Sequence, residues 1–175
     1  MDNFEVVFDI HISYIDQLLQ QELDITSADI KSSHFYDQAT AKDIEWYDID
    51  SFSTFLLRAG TGTILFKVIE LGIELKEVLT VISSDGESIT MEFNFRDTEL
   101  MYEGVLDSKK CLHMLTYFQK WIQPYHINAI TFGHEPATDK DMCLIEITEH
   151  TVLSQSIMDQ WRMNRQHIKQ NNNLL

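Results

Sequence analysis

Leu75-Lys76-Glu77-Val78-Leu79-Thr80-Val81-Ile82 is followed, after Ser83-Ser84-Asp85-Gly86-Glu87-Ser88, by Ile89-Thr90-Met91-Glu92-Phe93-Asn94-Phe95. In the second run Ile89, Met91, Phe93 and Phe95 alternate with Thr90, Glu92 and Asn94, the period of a strand with one buried face. Asp85-Gly86 between two such runs predicts a β-hairpin. Hairpins join antiparallel neighbours, so the chain reads as an antiparallel or mixed sheet rather than a regular βαβ alternation.

On the N-terminal side, Ile64 to Ile73 is β-branched enough for a buried strand, but its spacing also fits a buried helix, and helix is the reading adopted. Gly60-Thr61-Gly62-Thr63 ends a helix predicted from Asp50 or Ser51 through Phe52, Phe55, Leu56 and Ala59. Asp24 to Asp50 is polar, mixed with Phe35, Tyr36, Trp46 and Tyr47, and lacks clean periodicity, which predicts irregular structure. Tyr14, Ile15, Leu18, Leu19 and Leu23 predict a short amphipathic helix with Ser13 as its cap. Phe4 to Ile12 reads as a strand with one buried face.

On the C-terminal side, Asp107 or Ser108 opens the best-defined helix, with Cys111, Leu112, Leu115, Phe118 and Ile122 on one face and Pro124 at its end. A second hairpin pairs Asn128 to Gly133 with Met142 to Thr148 across a loop holding Pro136 and Asp139. A further helix is predicted from about Leu153 to Ile168, with Ile157, Trp161 and Ile168 on one side. No Pro/Gly/Ser-rich linker or internal repeat divides the chain. The expectation is one α+β domain over 1–170, helices packed on a hairpin-built sheet, and a polar tail at 171–175.

Charge is the unusual quantity. Thirteen Lys and Arg against 28 Asp and Glu leave −15, with a pI near 4.6. Such a field repels nucleic acid and anionic membranes and accelerates the approach of cationic partners. Residues 1–50 carry 12 acids and two bases, Lys31 and Lys42, a balance of −10, whereas Arg162, Arg165 and Lys169 stand near the end with no acid beside them. This asymmetry points to an interaction face in the N-terminal third. Cys111 and Cys143 have apolar neighbours, as buried thiols in a reducing compartment do. No basic region leads into an apolar stretch, and the most apolar segment, Ile64 to Leu75, holds Lys67, Glu70 and Glu74. The sequence therefore predicts a cytoplasmic protein.

No catalytic or metal site is predicted, and no cofactor. Gly60 and Gly62 supply two positions of a dinucleotide fingerprint, but the third falls on Leu65, and no Lys-Ser/Thr follows as in a P-loop. His134-Glu135 begins like a zinc-protease motif, yet Lys140 and Asp141 follow where a second His would stand. His134, Asp139 and Asp141 read as a solvated turn. His113 lies two residues from Cys111 and so points elsewhere on its helix. No Gly-x-Ser-x-Gly elbow is present.

One stretch combines charge with anchors. Asp43, Glu45, Asp48 and Asp50 are interleaved with Ile44, Trp46, Tyr47 and Ile49. Acids beside large aromatics give Coulomb attraction plus apolar contact, the pairing expected where a cationic protein docks. Asp43, Glu45, Trp46, Tyr47, Asp48 and Asp50 are therefore the candidate partner-binding residues.

In size, acidity and want of a catalytic motif, the chain resembles bacterial immunity proteins that neutralise toxin domains, including those of contact-dependent growth inhibition. The resemblance lies in overall character across the chain, so no family residue is carried over. It implies tight binding of one cognate toxin, often a basic nuclease, by occluding its active site or an essential surface. An enzyme with a site assembled from distant residues, and a small-molecule sensor or assembly subunit, are the competing readings. A deep pocket around a perturbed carboxylate or histidine would favour the enzyme.

Overall fold

Ile89, Met91, Phe93 and Phe95 all turn into the core, none more than 2% exposed, as their alternation predicts. In the computed structural model, which describes residues 3–161, they lie on one strand of an eight-stranded sheet. The strands are β1 (Asn3–His11), β2 (Asp29–Asp37), β3 (Lys42–Ile44), β4 (Gly60–Glu70), β5 (Glu74–Ser84), β6 (Ser88–Arg96), β7 (Met101–Tyr102), β8 (Val105–Leu106), β9 (Ile130–His134) and β10 (Cys143–Ile147). The order is β10-β9-β1-β6-β5-β4-β2-β3, every neighbouring pair antiparallel, while β7 and β8 form a separate two-stranded hairpin. The expected α+β class holds, and both predicted hairpins are present as β5–β6 and β9–β10.

Helices α1 (Ile15–Gln21), α2 (Phe52–Phe55) and α3 (Ser108–Gln119) cover one face of this sheet, where Trp161 of the helical stretch 155–161 also meets Phe132. Phe118, and Trp121 just beyond α3, pack on Phe93, and Trp121 also meets Phe8 edge-on at 5.8 Å. Phe52 of α2 meets Phe35 of β2 at 5.4 Å. Among the described residues the opposite face carries no helix, an arrangement open to antiparallel sheets because the two faces of a strand can differ in polarity.

The helix read for Ile64 to Ile73 is instead β4 and the turn after it. Ile64 and Phe66 are fully buried, whereas Leu65 is half-buried and Lys67 exposed, a period of two. A helix over this stretch would also have to pass through Gly72, which turns the chain into β5 at φ +78°. A Cβ there would stand 2.6 Å from the Tyr117 Cβ, so the hairpin can approach α3 only because this residue is glycine.

The segment Asp24 to Asp50 contains irregular structure as expected, but two strands, β2 and β3, lie within it as well. They occupy the end of the sheet, where only Ser33 and Phe35 of β2 are buried, so the alternation is too short to stand out. Conversely, β1 is central. Phe4 to Phe8 are all buried, including Glu5 at 5% and Val7 at 7%, so the single buried face expected of this strand becomes two at that end.

Local details also shift. A 3-10 turn over Ile12–Tyr14 precedes α1, and His11 Nδ1 accepts from Ser13 N, so Ser13 is capped rather than capping. Asp107 caps α3 by accepting from Lys109 and Lys110 N, both at 3.1 Å, and Met114, not Leu112, takes the inward position. The chain is helical at 155–161; the remainder of the helix read to Ile168 and the tail at 171–175 lie outside the described residues. Both cysteines are free, and burial pushes the Cys111 thiol up to about 12.

Candidate functional site

The interleaved acids and aromatics at 43–50 form the free end of the sheet, and the chain before them explains how. Asp37 accepts from Ala39 N at 2.9 Å and Thr40 Oγ1 at 2.6 Å, the self-bonded turn that Asp favours. The Thr40 hydroxyl, then the Ala39 amide, hold its carboxyl below the ordinary value. The turn sends β3 back along β2, pairing Tyr36 with Asp43 and Phe35 with Ile44. Gly62 across β2 has room for the Phe35 ring only because it lacks a Cβ, which would sit 2.1 Å from Cδ1.

After Ile44 the backbone leaves the ladder, and side chains take over its hydrogen bonds. Glu45 Oε2 accepts from Ser33 N at 3.1 Å and from Ser33 Oγ at 2.5 Å, while Ser33 Oγ accepts from Trp46 N at 2.9 Å. Ser33 is buried, so its amide needs this partner. Glu45 is thus engaged inside the fold and does not stand free with the other acids.

A 3-10 turn over Trp46–Asp48 then leads to α2. Ser51 caps α2 through Thr54 N at 3.2 Å, and Asp16 of α1 reaches the same helix start, accepting from Phe52 N at 2.7 Å, Ser53 N at 3.1 Å and both the Ser51 and Ser53 hydroxyls. Burial opposes the Asp16 charge, but the Ser53 and Phe52 hydrogen bonds outweigh it and hold the carboxyl below its ordinary value. Asp16 therefore pins the end of the candidate segment to the core.

This anchor makes a pH prediction. A carboxyl with a depressed folded pKa contributes its full stability above the unfolded value, about 4, and loses it as pH falls through the folded one. The thermal midpoint should drop on acidification below about pH 4, and less steeply in Asp16→Asn, which has no such proton to take up. Parallel acid profiles for the two proteins would contradict the anchoring role.

The six candidate residues divide in consequence. Asp43, Tyr47, Asp48 and Asp50 are exposed, Tyr47 at 67%. Trp46 is half-buried, packed against the core and meeting the Tyr47 ring edge-on at 6.0 Å, so it holds Tyr47 outward. None of the ion pairs among the described residues involves these acids; they are Lys31–Glu77, Arg96–Glu77, Lys67–Asp29 and His150–Glu149. The fold also adds what sequence reading missed: Tyr36, 54% exposed, stands directly across from Asp43. Its place in a strand could have been suspected only by seeing β2 as the strand next to the edge. Asp16 carries no sequence signal at all, since its partners lie 35 and more residues away.

Among the described residues, no three His, Cys, Asp or Glu side chains group as a metal site, and no helix is long and apolar enough to cross a membrane. The loop of His134, Asp139 and Asp141 is a turn in which Asp139 N donates to Pro136 O at 3.0 Å.

Three comparisons bear on this geometry. The family model of the PABL017 Cdi1I immunity protein matches residues 2–150. A chain from the crystal structure of the toxic C-terminal tip of CdiA from Pseudomonas aeruginosa in complex with immune protein superposes with a TM-score of 0.60. It is 20% identical, and the match covers 83% of this chain and 94% of that one. The Pseudomonas aeruginosa T6SS protein PA0821 superposes at a TM-score of 0.43 with 8% identity, over 77% of this chain and 42% of that one. No curated protein matches by sequence. The crystal structure's likeness extends to the fold, and the match over residues 2–150 places the chain: it belongs to the PABL017 Cdi1I immunity protein family.

Proposed function

We propose that this immunity protein binds and neutralises a toxic CdiA-type C-terminal domain in the cytoplasm, and that the acidic edge is where the toxin docks. The observation that carries the site is the union of Asp43, Asp48 and Asp50, exposed and without an ion pair, with the outward rings of Tyr47 and Tyr36. The carboxylates steer a cationic toxin surface during approach, and the aromatic rings are buried on contact. Trp46 and Glu45 act from behind, the first supporting Tyr47 and the second holding the turn to β2. Inhibition of this kind is stoichiometric and needs no catalytic group, which agrees with membership of an immunity family.

The test pairs this chain with a CdiA-type toxic C-terminal domain, sought in the reading frame next to its own. A one-to-one complex on mixing, together with restored growth when the two are co-expressed, is the expected outcome. A toxin that kills cells equally with and without the chain, and elutes separately from it, would overturn the reading.

A further inference from the structure

The face of the sheet that no helix covers is not uniformly polar. One row of paired residues crosses it from His34 through Thr63, Val81, Glu92 and Val7 to Thr131 and Glu146. At its centre Glu92 is half-buried between Val81 on one neighbouring strand and Val7 on the other, with Leu79 close by at 38% exposed. Two more carboxylates act on it. Glu135 raises the pKa of both Glu92 and Glu5, in each case after the larger effect of burial, and Glu92 adds to the effect on Glu5.

The carboxylates of Glu5, Glu92 and Glu135 can only accept, and few described groups donate to them. Glu5 accepts from Ala137 N at 2.7 Å, and Glu135 accepts from Asn3 Nδ2 at 2.9 Å. Among the described residues no Lys, Arg or His forms an ion pair with Glu5, Glu92 or Glu135. Asn94 stands opposite Glu5 and two residues from Glu92 on the same face, only 9% exposed, and its amide favours the charged form of Glu5. Its Oδ1 is buried with no donor among the described residues. An unpartnered buried carbonyl oxygen beside poorly solvated carboxylates defines what is missing: a cationic group rich in N–H donors.

We propose that this face, which no helix among the described residues covers, is at Glu92 part of the toxin-docking surface and receives a lysine or arginine side chain of the toxin domain. The inference rests on the reading that the chain binds such a domain. The ring of Val7, Val81 and Leu79 would exclude water around the ion pair, the setting in which charged anchors contribute most. Continuity with the acidic edge supports the same occupant. Tyr36 shares its face with His34 in the row that holds Glu92, and β3 lies four strands from β6. That is roughly 19 Å at the usual strand spacing, a span one standard interface covers.

The experiment measures affinity for the same toxic domain, for the unaltered protein and for Glu92→Gln, Glu92→Lys and Glu103→Gln. Glu103 is an exposed acid in the β7–β8 turn and serves as the charge control. Glu92→Gln is expected to weaken binding tenfold or more through faster dissociation, Glu92→Lys a hundredfold, and Glu103→Gln less than twofold, with unchanged circular dichroism in all three. Wild-type affinity in both Glu92 variants would overturn this inference and leave the proposed function standing. Equal losses in the Glu92→Gln and Glu103→Gln proteins would also overturn it, by reducing the effect to net charge. Failure of the unaltered chain to bind would overturn both.

Discussion

Replacing Trp121 with alanine is expected to destabilise the chain by about 3–5 kcal/mol, the range for emptying a large aromatic site in a core. The ring is 1% exposed and contacts Phe8, Phe93, Tyr117 and Phe118, so it joins the segment after α3 to β1 and β6. Against a total stability of about 5–15 kcal/mol, that loss is a large fraction. Trp121→Phe should cost much less, about 1–2 kcal/mol. It keeps most of the packing and deletes an indole N–H that has no protein acceptor. Urea unfolding of the three proteins checks the order. Equal losses for the two substitutions would mean that ring volume is not what the site rewards.

Neutralising the acidic edge is expected to affect recognition without affecting the fold. Asp43→Asn, Asp48→Asn and Asp50→Asn together should slow association with the toxin domain about tenfold at low salt and flatten its dependence on ionic strength. Glu45 is left out of the set because its carboxylate binds Ser33, so removing it would disturb the turn and confuse the two effects. Tyr47→Ala should act differently, raising the dissociation rate about thirtyfold, the size of a 2 kcal/mol hot spot. Stopped-flow association at several salt concentrations separates the two kinds of residue. A triple variant with unchanged rate and slope would remove the edge from the docking surface.

The sequence disclosed the parts of the fold whose signal is local and periodic. The β5–β6 hairpin was legible because Ile89 to Phe95 alternates beside Asp85-Gly86, and α3 because Asp107 opens a clear apolar face, although the helix stops at Gln119 rather than running to Pro124. β4 was misread because Ile64 to Ile73 satisfies two periods at once, and only the Gly72 turn against Tyr117 decides between them. β2 escaped notice because, with only the three-residue β3 beyond it, it buries too few residues to show its alternation. For the site, the composition of 43–50 was visible, but the division of labour within it was not. Glu45 and Asp48 look alike in sequence, and what separates them is Ser33, twelve residues upstream of Glu45 and across a hairpin. The Glu92 neighbourhood was hidden for the same reason, since Glu5, Glu92 and Glu135 meet only when three strands are laid side by side.

Amide hydrogen exchange of the chain, free and saturated with the toxin domain, tests the docking surface most directly. Slowed exchange across Lys42 to Asp50 on complex formation is the result this account requires. Slowing confined to the helix-covered side, around α1 and α3, with Lys42 to Asp50 exchanging as in the free chain, would contradict it.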